Sequence, residues 1–400
     1  MSGIYERLGV TPIINAYGPN TRLSGGIMAP EVAEAMIEAS QYCVDMAELQ
    51  SRASSVIAEA TGAEAGYVTS GAAAGLLLGL AATITGLDPD KMNRLPDVTG
   101  MKNEIIVPRS HRNFYDRAAR ALGARVVEVG LSDRFSGTGV RDTEAWEIAA
   151  AITERTAAIY YLAKPRSLPA LAEVVAVARP RGVPVVVDAA AELPPAQNLR
   201  RFIAEGADLV AFSGGKAIGG PQASGILAGR RDLIAAAALQ NLDLDLFFEQ
   251  FESPAEFIDK TKLPGLPQHG IGRPCKVGKE EIAGLLTALR LFVREEEARA
   301  ACWRARADAM LAALRACRGL ETTAAPDPRG SGVPFVAVRL APRNDGLEMR
   351  EVARRLERGR PRLCCNISKA GEGVLYLSPV SLRDDQVPAV AAAFRAALGD

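Results

Sequence analysis

Histidine is scarce. Only His111 and His269 occur in 400 residues, so there is little material for a histidine-rich metal centre. The six cysteines (Cys43, Cys275, Cys302, Cys317, Cys364 and Cys365) include no C-x-x-C spacing, which argues against zinc fingers and ribbons. No metal site is expected. A net charge is missing too, because 47 Lys and Arg cancel 47 Asp and Glu. Without a whole-chain positive field, neither nucleic acid nor an anionic membrane is an expected partner. No apolar run reaches the roughly 20 residues of a bilayer span, and MSGIYERLGV lacks the layout of a signal peptide. Cysteines without a secretion signal read as reduced thiols in a cytoplasm. What is present, 48% hydrophobic and 24% charged residues, suits a packed globular chain large enough for an enzyme.

The middle of the chain alternates short apolar runs with alanine-rich stretches. NEIIVP (103–108), ARVVEV (124–129), AAIYYL (157–162), PVVVDA (184–189) and DLVAFS (208–213) read as strands buried on both faces. Helix candidates lie between them at 113–123, 142–152 and 167–182. Strand and helix in alternation predict βαβ units: an α/β fold with a mostly parallel sheet and helices on both faces. From Lys279, Ile282, Leu285, Leu286, Leu289, Phe292 and Val293 keep the spacing of an amphipathic helix. That run extends to about residue 316, long enough to bend or to connect two domains. Beyond Gly319, a Pro/Gly-rich break, strand-like FVAVRL, a helix and strand-like segments near 363–367 and 374–377 predict a smaller C-terminal α+β domain. The expected domains are an N-terminal arm (1–35), a large α/β domain (36–280) and a linking helix with the small domain (281–400).

Segment 301–362 holds 13 arginines and no lysine against seven acidic residues. Solvated helix faces with surface ion pairs explain such a run; alternatively, one or two arginines reach a cleft and hold an anionic substrate. Arg360 and Arg362, beside a proline at the edge of a strand-like run, are the first candidates for that second role.

Three short segments carry chemistry. Asp188 ends the strand PVVVD, at the carboxyl edge of a parallel sheet where ligands of open α/β sheets bind; a helix-capping role is the plain alternative. Lys216 follows the next strand in FSGGKAIGGPQ, among Gly214, Gly215, Gly219 and Gly220, which permit tight turns and close approach of a ligand. A buried lysine there is the residue type that forms a Schiff base. The segment is not a phosphate-binding P-loop, because Val210 and Ala217 stand where glycine and Ser or Thr are required. Ser213 and Lys216 form S-x-x-K without the partner motifs of penicillin-binding enzymes. GIGRPC (270–275) has Cys275 where a dinucleotide fingerprint needs its last glycine.

Ser70, Gly71 and Ala72 open an apolar helix after the strand-like YVTS, so their N–H groups can meet a phosphate, or simply pack. His111 follows EIIVPRS at the same sheet edge; it is either a ring-stacking group or a capping histidine. A phosphate cradle, a carboxylate at a strand end and a lysine after the following strand are together what pyridoxal 5'-phosphate requires.

With these residues in place, the chain resembles the fold-type I pyridoxal-phosphate enzymes of the selenocysteine-synthase-like branch, and within it the D-glucosaminate-6-phosphate ammonia-lyase group. The resemblance runs in order through PIINAYGPNTRLSGGIMAPEV (12–32), TGAEAGYVTSGAAAGL (61–76), HRNFYDRAARALGA (111–124), VVVDAAAELPP (185–195), FSGGKAIGGPQASGIL (212–227) and GIGRPCKVGKEEI (270–282). It implies the fold-type I transferase fold with its seven-stranded type of sheet. It also implies Lys216 as the Schiff-base lysine and Asp188 as partner of the pyridine nitrogen. Ser70, Gly71, Ala72 and Ser213 would sit around the phosphate, with His111 stacked on the ring. Gln222 and Arg273 would lie near the site or a subunit contact, Asn15 and Arg22 would reach it from the N-terminal arm, and the chain would be a homo-oligomer. The selenium transferases of this branch carry an additional N-terminal tRNA-handling domain, whereas the matching segments here start at residue 12. Together with zero net charge, this makes tRNA an unexpected substrate.

The expected reaction is an α,β-elimination of water and ammonia from a 2-amino-3-hydroxy acid, such as a sugar-acid phosphate, giving a 2-keto-3-deoxy acid. Racemisation or transamination of an amino acid uses the same residues and is the alternative. With only two histidines, Lys216 is the expected proton carrier.

Overall fold

The computed structural model describes residues 3–131, 142–342 and 347–399. By its contacts the chain divides into two units, Met28–Val293 and Met1–Ile27 with Arg294–Asp400. In chain order the strands are β1 (Ile13–Ala16), β2 (Ala65–Thr69), β3 (Glu104–Pro108), β4 (Arg125–Val129), β5 (Thr156–Leu162) and β6 (Val185–Asp188). They continue with β7 (Leu209–Ser213), β8 (Gly225–Gly229), β9 (Leu320–Pro326), β10 (Pro334–Leu340), β11 (Arg362–Cys365) and β12 (Leu375–Leu377).

The larger unit is built on one sheet of order β2-β8-β7-β6-β5-β3-β4. The five expected strands are all present and pair in parallel, while β8 runs antiparallel to both β7 and β2. The carboxyl ends of the other six strands therefore share one edge. β3, β5 and β6 are buried along their whole length, which is why they read as continuous apolar runs rather than alternating ones. Alternation still divides the faces: Tyr160, Leu162 and Val186 join one core, and Ile159, Tyr161 and Val187 the other. On the Tyr160 face packs the helix Ala72–Thr85, AAAGLLLGLAATIT, which has no ionisable side chain and is buried nearly all round.

At the amino edge of the sheet a buried carboxylate is met by an exposed arginine. Glu104 at the start of β3 is 2.7 Å from Arg155 and accepts a hydrogen bond from Thr153 Oγ1. At the carboxyl edge, Asp188 is buried and has no arginine partner among the described residues.

In the smaller unit β1 pairs in parallel with β11, and β9, β10 and β12 form an antiparallel sheet of order β12-β10-β9. Ile14, Met310, Val338, Leu356 and Phe394 share its core. The expected run from Lys279 to about 316 consists of two helices, Lys279–Arg294 and Glu296–Arg315, interrupted at Glu295. Three strands lacked a readable signal: β1, β8 and β9. β8 is GILAG, framed by glycines, and β9 is LETTAAP, mostly exposed.

Most of the arginine-rich segment behaves as solvated surface. Arg306 pairs with Asp384, and both Arg354 and Arg355 with Glu351; such pairs with a solvent-exposed partner contribute little, while Arg329 pairs with the buried Asp327. Arg343 lies outside the described residues. Among those residues no helix is long and apolar enough to cross a membrane.

Candidate active site

Asp188, Lys216, Ser213, His111 and the Ser70–Ala72 step all stand at the carboxyl edge of the larger sheet, each at or just beyond the end of its strand. Asp188 closes β6 between β5 and β7 and is 4% exposed. Its Oδ2 accepts a hydrogen bond from Tyr160 O–H at 2.7 Å, and its Oδ1 from the Ala190 N–H at 3.1 Å. Tyr160 reaches it because Leu162 is paired with Asp188 in parallel register, so Tyr160, two residues earlier, shares its face. Burial, reinforced by the Asp188 carboxylate, pushes the Tyr160 phenol far above its ordinary range. It therefore remains a donor at every physiological pH.

Four acids are buried among the described residues: Glu104, Asp116, Asp188 and Asp327. Arg155 pairs with Glu104, Arg112 and Arg120 with Asp116, and Arg329 with Asp327. Asp188 has no ion pair among the described residues. A buried carboxylate held only by a hydroxyl and one N–H carries an uncompensated desolvation cost. A protonated pyridine nitrogen is a group of the right charge to offset it. The plain alternative, a helix-capping Asp, is not what the geometry shows, since the Ala190 contact closes a local turn and the next helix begins only at Asn198.

The phosphate-sized end of the site is built from β2, β8 and the helix Ala72–Thr85. Gly71 precedes that helix with φ 137° and ψ 162°, which only glycine adopts readily. No side chain caps the helix, and a Cβ placed on Gly71 would meet nothing within 4 Å. The N–H groups of its first turn, uncapped by any side chain, stand at the positive end of the helix dipole. Beneath them passes β8. A Cβ on Gly225 would lie 2.5 Å from the Gly71 carbonyl carbon and 2.7 Å from the Ala72 nitrogen, so the cradle needs glycine there. Ser213, half-buried, is paired with Gly225 across β7 and β8.

The Ser70 hydroxyl is already engaged. It donates to the Cys275 carbonyl at 2.9 Å, while Asn241 Nδ2 donates to the carbonyls of Gly272 and Cys275. The 270–275 stretch is thus tied directly to the cradle, and Arg273 within it pairs with Asp243 at 2.9 Å.

Lys216 is half-buried in the turn that follows β7. Gly214 and Gly215 around it are explained by packing rather than by approach of a ligand. A Cβ on Gly214 would come within 2.3 Å of Ser224 Oγ, and one on Gly215 within 2.5 Å of the Gln222 Cα. Gln222 is therefore held at the back of the lysine turn, with its side chain exposed.

His111 is 2% exposed, so it is no surface residue. The Leu162 N–H donates to its Nδ1 at 3.3 Å, and its ring meets Tyr161 edge-on at 4.6 Å. With Nδ1 accepting, the neutral ring carries its proton on Nε2. Beside it, the buried Ser110 hydroxyl has no hydrogen-bond partner among the described residues, an unsatisfied group of the kind found where a ligand binds.

Sequence reasoning missed Tyr160, Ser110 and Asn113, whose Nδ2 donates to the Tyr160 oxygen at 3.2 Å. For Tyr160 a signal existed: in AAIYYL, period-two alternation puts the first tyrosine on one face with Leu162 and the second on the other.

The remaining candidates belong to the smaller unit. Asn15 is buried and its amide is fully used, donating to the carbonyls of Gly18 and Gly25 and accepting from the Tyr17 N–H. Its place is to fold the 17–25 loop. Arg22 pairs with Glu357, and Arg362 donates to the Glu357 carbonyl. Arg360 is exposed. A groove of about 1150 Å³ in this unit, lined by Arg350, Glu351, Arg354, Ser368 and Glu372 among others, includes none of the expected site residues.

The chain is similar to known proteins along its whole length. Residues 19–249 match the family described as SelA, L-seryl-tRNA selenium transferase. A 5'-C-glycyluridine monooxygenase-decarboxylase of a Streptomyces species is 35% identical over 95% of this chain and 88% of its own length. The D-glucosaminate-6-phosphate ammonia lyase of Salmonella typhimurium is 30% identical over 98% of this chain and 97% of its own. A solved structure of D-glucosaminate-6-phosphate ammonia-lyase superposes with a TM-score of 0.82 at 30% identity, covering 100% of this chain and 99% of that one. The family and its structural neighbours are pyridoxal-phosphate enzymes of the fold-type I class.

Proposed function

This chain belongs to the L-seryl-tRNA selenium transferase family of enzymes, and on that premise we propose that it is a pyridoxal-phosphate-dependent ammonia-lyase. Its substrate would be a 2-amino-3-hydroxy acid, with a sugar-acid phosphate such as D-glucosaminate 6-phosphate as the leading case; its products would be a 2-keto-3-deoxy acid and ammonia. The observation that carries the cofactor reading is Asp188, the one buried acid among the described residues that lacks a cation. The choice of reaction is supported by the whole-length likeness to the ammonia lyases.

When bound, the cofactor supplies a protonated ring that takes up the charge left at the substrate α-carbon. Asp188 holds the proton on the ring nitrogen. The first-turn N–H groups of the helix Ala72–Thr85, with Ser213, hold the phosphate, and Ser70 fixes the 270–275 stretch against them. His111, braced by Leu162 and Tyr161, would stack on the ring. Lys216 Nζ would anchor the cofactor and, as a free amine, would take the substrate α-proton and return a proton to the departing 3-hydroxyl. Loss of water leaves an enamine whose hydrolysis releases ammonia. Gln222 and Arg273 are the substrate-side candidates of the larger unit, and an anionic sugar acid suits arginine forks.

The assay is a screen of 2-amino-3-hydroxy acids and phosphorylated amino-sugar acids for stoichiometric ammonia and 2-keto acid. Oxygen uptake with carbon dioxide release would instead align the chain with the Streptomyces relative. Exchange of the α-proton with solvent deuterium, without ammonia, would show racemisation.

Gly225→Ala is expected to displace the start of the helix Ala72–Thr85, since overpacking of this kind costs about 1–3 kcal/mol. Titration of the apoprotein with pyridoxal phosphate should show affinity lowered by roughly tenfold or more. Unchanged affinity would remove the cradle from the account.

A homo-oligomer in the cytoplasm completes the proposal. All six cysteines are free thiols, as a reducing compartment favours. Phe114 (89% exposed) and its neighbour Tyr115 present apolar surface of the kind a subunit contact covers. Sedimentation analysis should find a dimer or larger.

A further inference from the structure

We infer that Tyr160 and Asn113 form a positioning relay that moderates how tightly Asp188 holds the proton on the ring nitrogen of the bound cofactor. The inference rests on the pyridoxal-phosphate reading above and adds a function for two side chains that reading leaves unused.

The relay is short and fully inside the larger unit. Asn113 Nδ2 donates to the Tyr160 oxygen at 3.2 Å, and Tyr160 O–H donates to Asp188 Oδ2 at 2.7 Å. A donor whose own oxygen accepts a hydrogen bond is a stronger donor. Tyr160 is 1% exposed, so no water competes for that bond. Asn113 is fixed in turn. Its side-chain oxygen accepts from the Tyr115 and Asp116 N–H groups, and the Asp116 carboxylate accepts from the Asn113 N–H. Asp116 is buried and clamped between Arg112 and Arg120.

The surroundings leave little else to adjust Asp188. From β5 it is faced by Tyr160, and from its own loop by the Ala190 N–H. At the same sheet edge stand His111 and Asn113 after β3, Asp116 in its pairs with Arg112 and Arg120, and Lys216 after β7. The helix packed on this face, Ala72–Thr85, has no ionisable side chain. Every hydrogen bond Asp188 receives from Tyr160 draws negative charge away from the ring nitrogen. Without it, the carboxylate interacts more strongly with the ring N–H, and the nitrogen keeps its proton to higher pH.

The relay thereby sets a compromise. A ring nitrogen held too tightly would take up charge at the α-carbon early but release it late, when the 3-hydroxyl must leave. Asn113 reaches Tyr160 and Tyr160 reaches Asp188 by hydrogen bonds, so both act as positioning residues through that carboxylate.

The test uses ring-¹⁵N-labelled pyridoxine 5'-phosphate. It keeps the ring nitrogen and phosphate but has no aldehyde for Lys216 to attack. Nitrogen NMR of the complex across pH reads the point at which the bound ring loses its proton. Tyr160→Phe should move that point upward by roughly one pH unit, the effect of one hydrogen bond on a carboxylate. Asn113→Ser, which keeps a capping oxygen but loses the amide donor, should move it upward by less. If both variants titrate like the wild type, the relay is overturned, because a purely structural tyrosine would lower the melting temperature without moving the titration. If Tyr160→Phe does not fold, Asn113→Ser alone decides. A wild type that fails to bind the compound, or whose bound nitrogen titrates as in free solution, overturns the Asp188 reading itself.

Discussion

Lys216→Ala is expected to abolish turnover, with a loss of roughly 10⁴-fold or more, the upper end for a general acid–base group. It should also remove the visible absorbance of the cofactor bonded to the protein. Both losses follow from one side chain serving as covalent anchor and as carrier of the α-proton. His111 is braced through Nδ1 by the Leu162 N–H and by the Tyr161 ring, and His269 is the only other histidine. The fold itself should survive, because Lys216 is half-buried in a turn shaped by Gly214 and Gly215. A change in unfolding free energy within about 1 kcal/mol is expected. Absorbance spectra, single-turnover assays and thermal unfolding of the variant measure the three effects separately.

Asp188→Asn should be almost as damaging to catalysis while having the opposite effect on the empty protein. Turnover is expected to fall by about 10²–10³-fold, the cost of removing one preorganised electrostatic partner of developing charge. Covalent capture by Lys216 should persist. In the apoprotein, by contrast, the substitution removes a buried carboxylate that has no cation. Breaking a paired charge destabilises, but neutralising an unpaired one relieves a desolvation cost. The apo variant should therefore melt at or above the wild-type temperature, and the melting gain on adding pyridoxal phosphate should shrink. Parallel melting curves of the apo and loaded forms provide the check. A variant that is strongly destabilised without cofactor would mean that Asp188 is a structural residue.

Much of this site was legible before any coordinates. β3, β5 and β6 are continuous apolar runs because both faces of the sheet are covered there, and a charged residue ending one run is conspicuous for that reason. Asp188 and Lys216 stood out as ionisable residues directly after such runs. The small-residue step at Ser70–Ala72 marked the helix start. What stayed hidden depended on register and on contacts distant in sequence. Tyr160 meets Asp188 only because Leu162 pairs with it, and Ser70 meets Cys275 across 205 positions. Gly214 and Gly215 suggested an approaching ligand, yet their immediate neighbours are Ser224 and Gln222. β8 escaped because GILAG carries too few side chains to display any period. In the smaller unit, the arginine excess looked like a possible substrate clamp, but Arg306, Arg329, Arg354 and Arg355 are met by nearby acids and Arg360 is exposed.

The most direct test of the account is where the cofactor attaches. Purified protein loaded with pyridoxal phosphate should be yellow. Borohydride reduction followed by peptide mass spectrometry should then place a single phosphopyridoxyl group on Lys216, in the peptide that spans Ser213 to Gly219. A colourless protein that cannot be reconstituted, or an adduct on any other lysine, would contradict the assignment of the site.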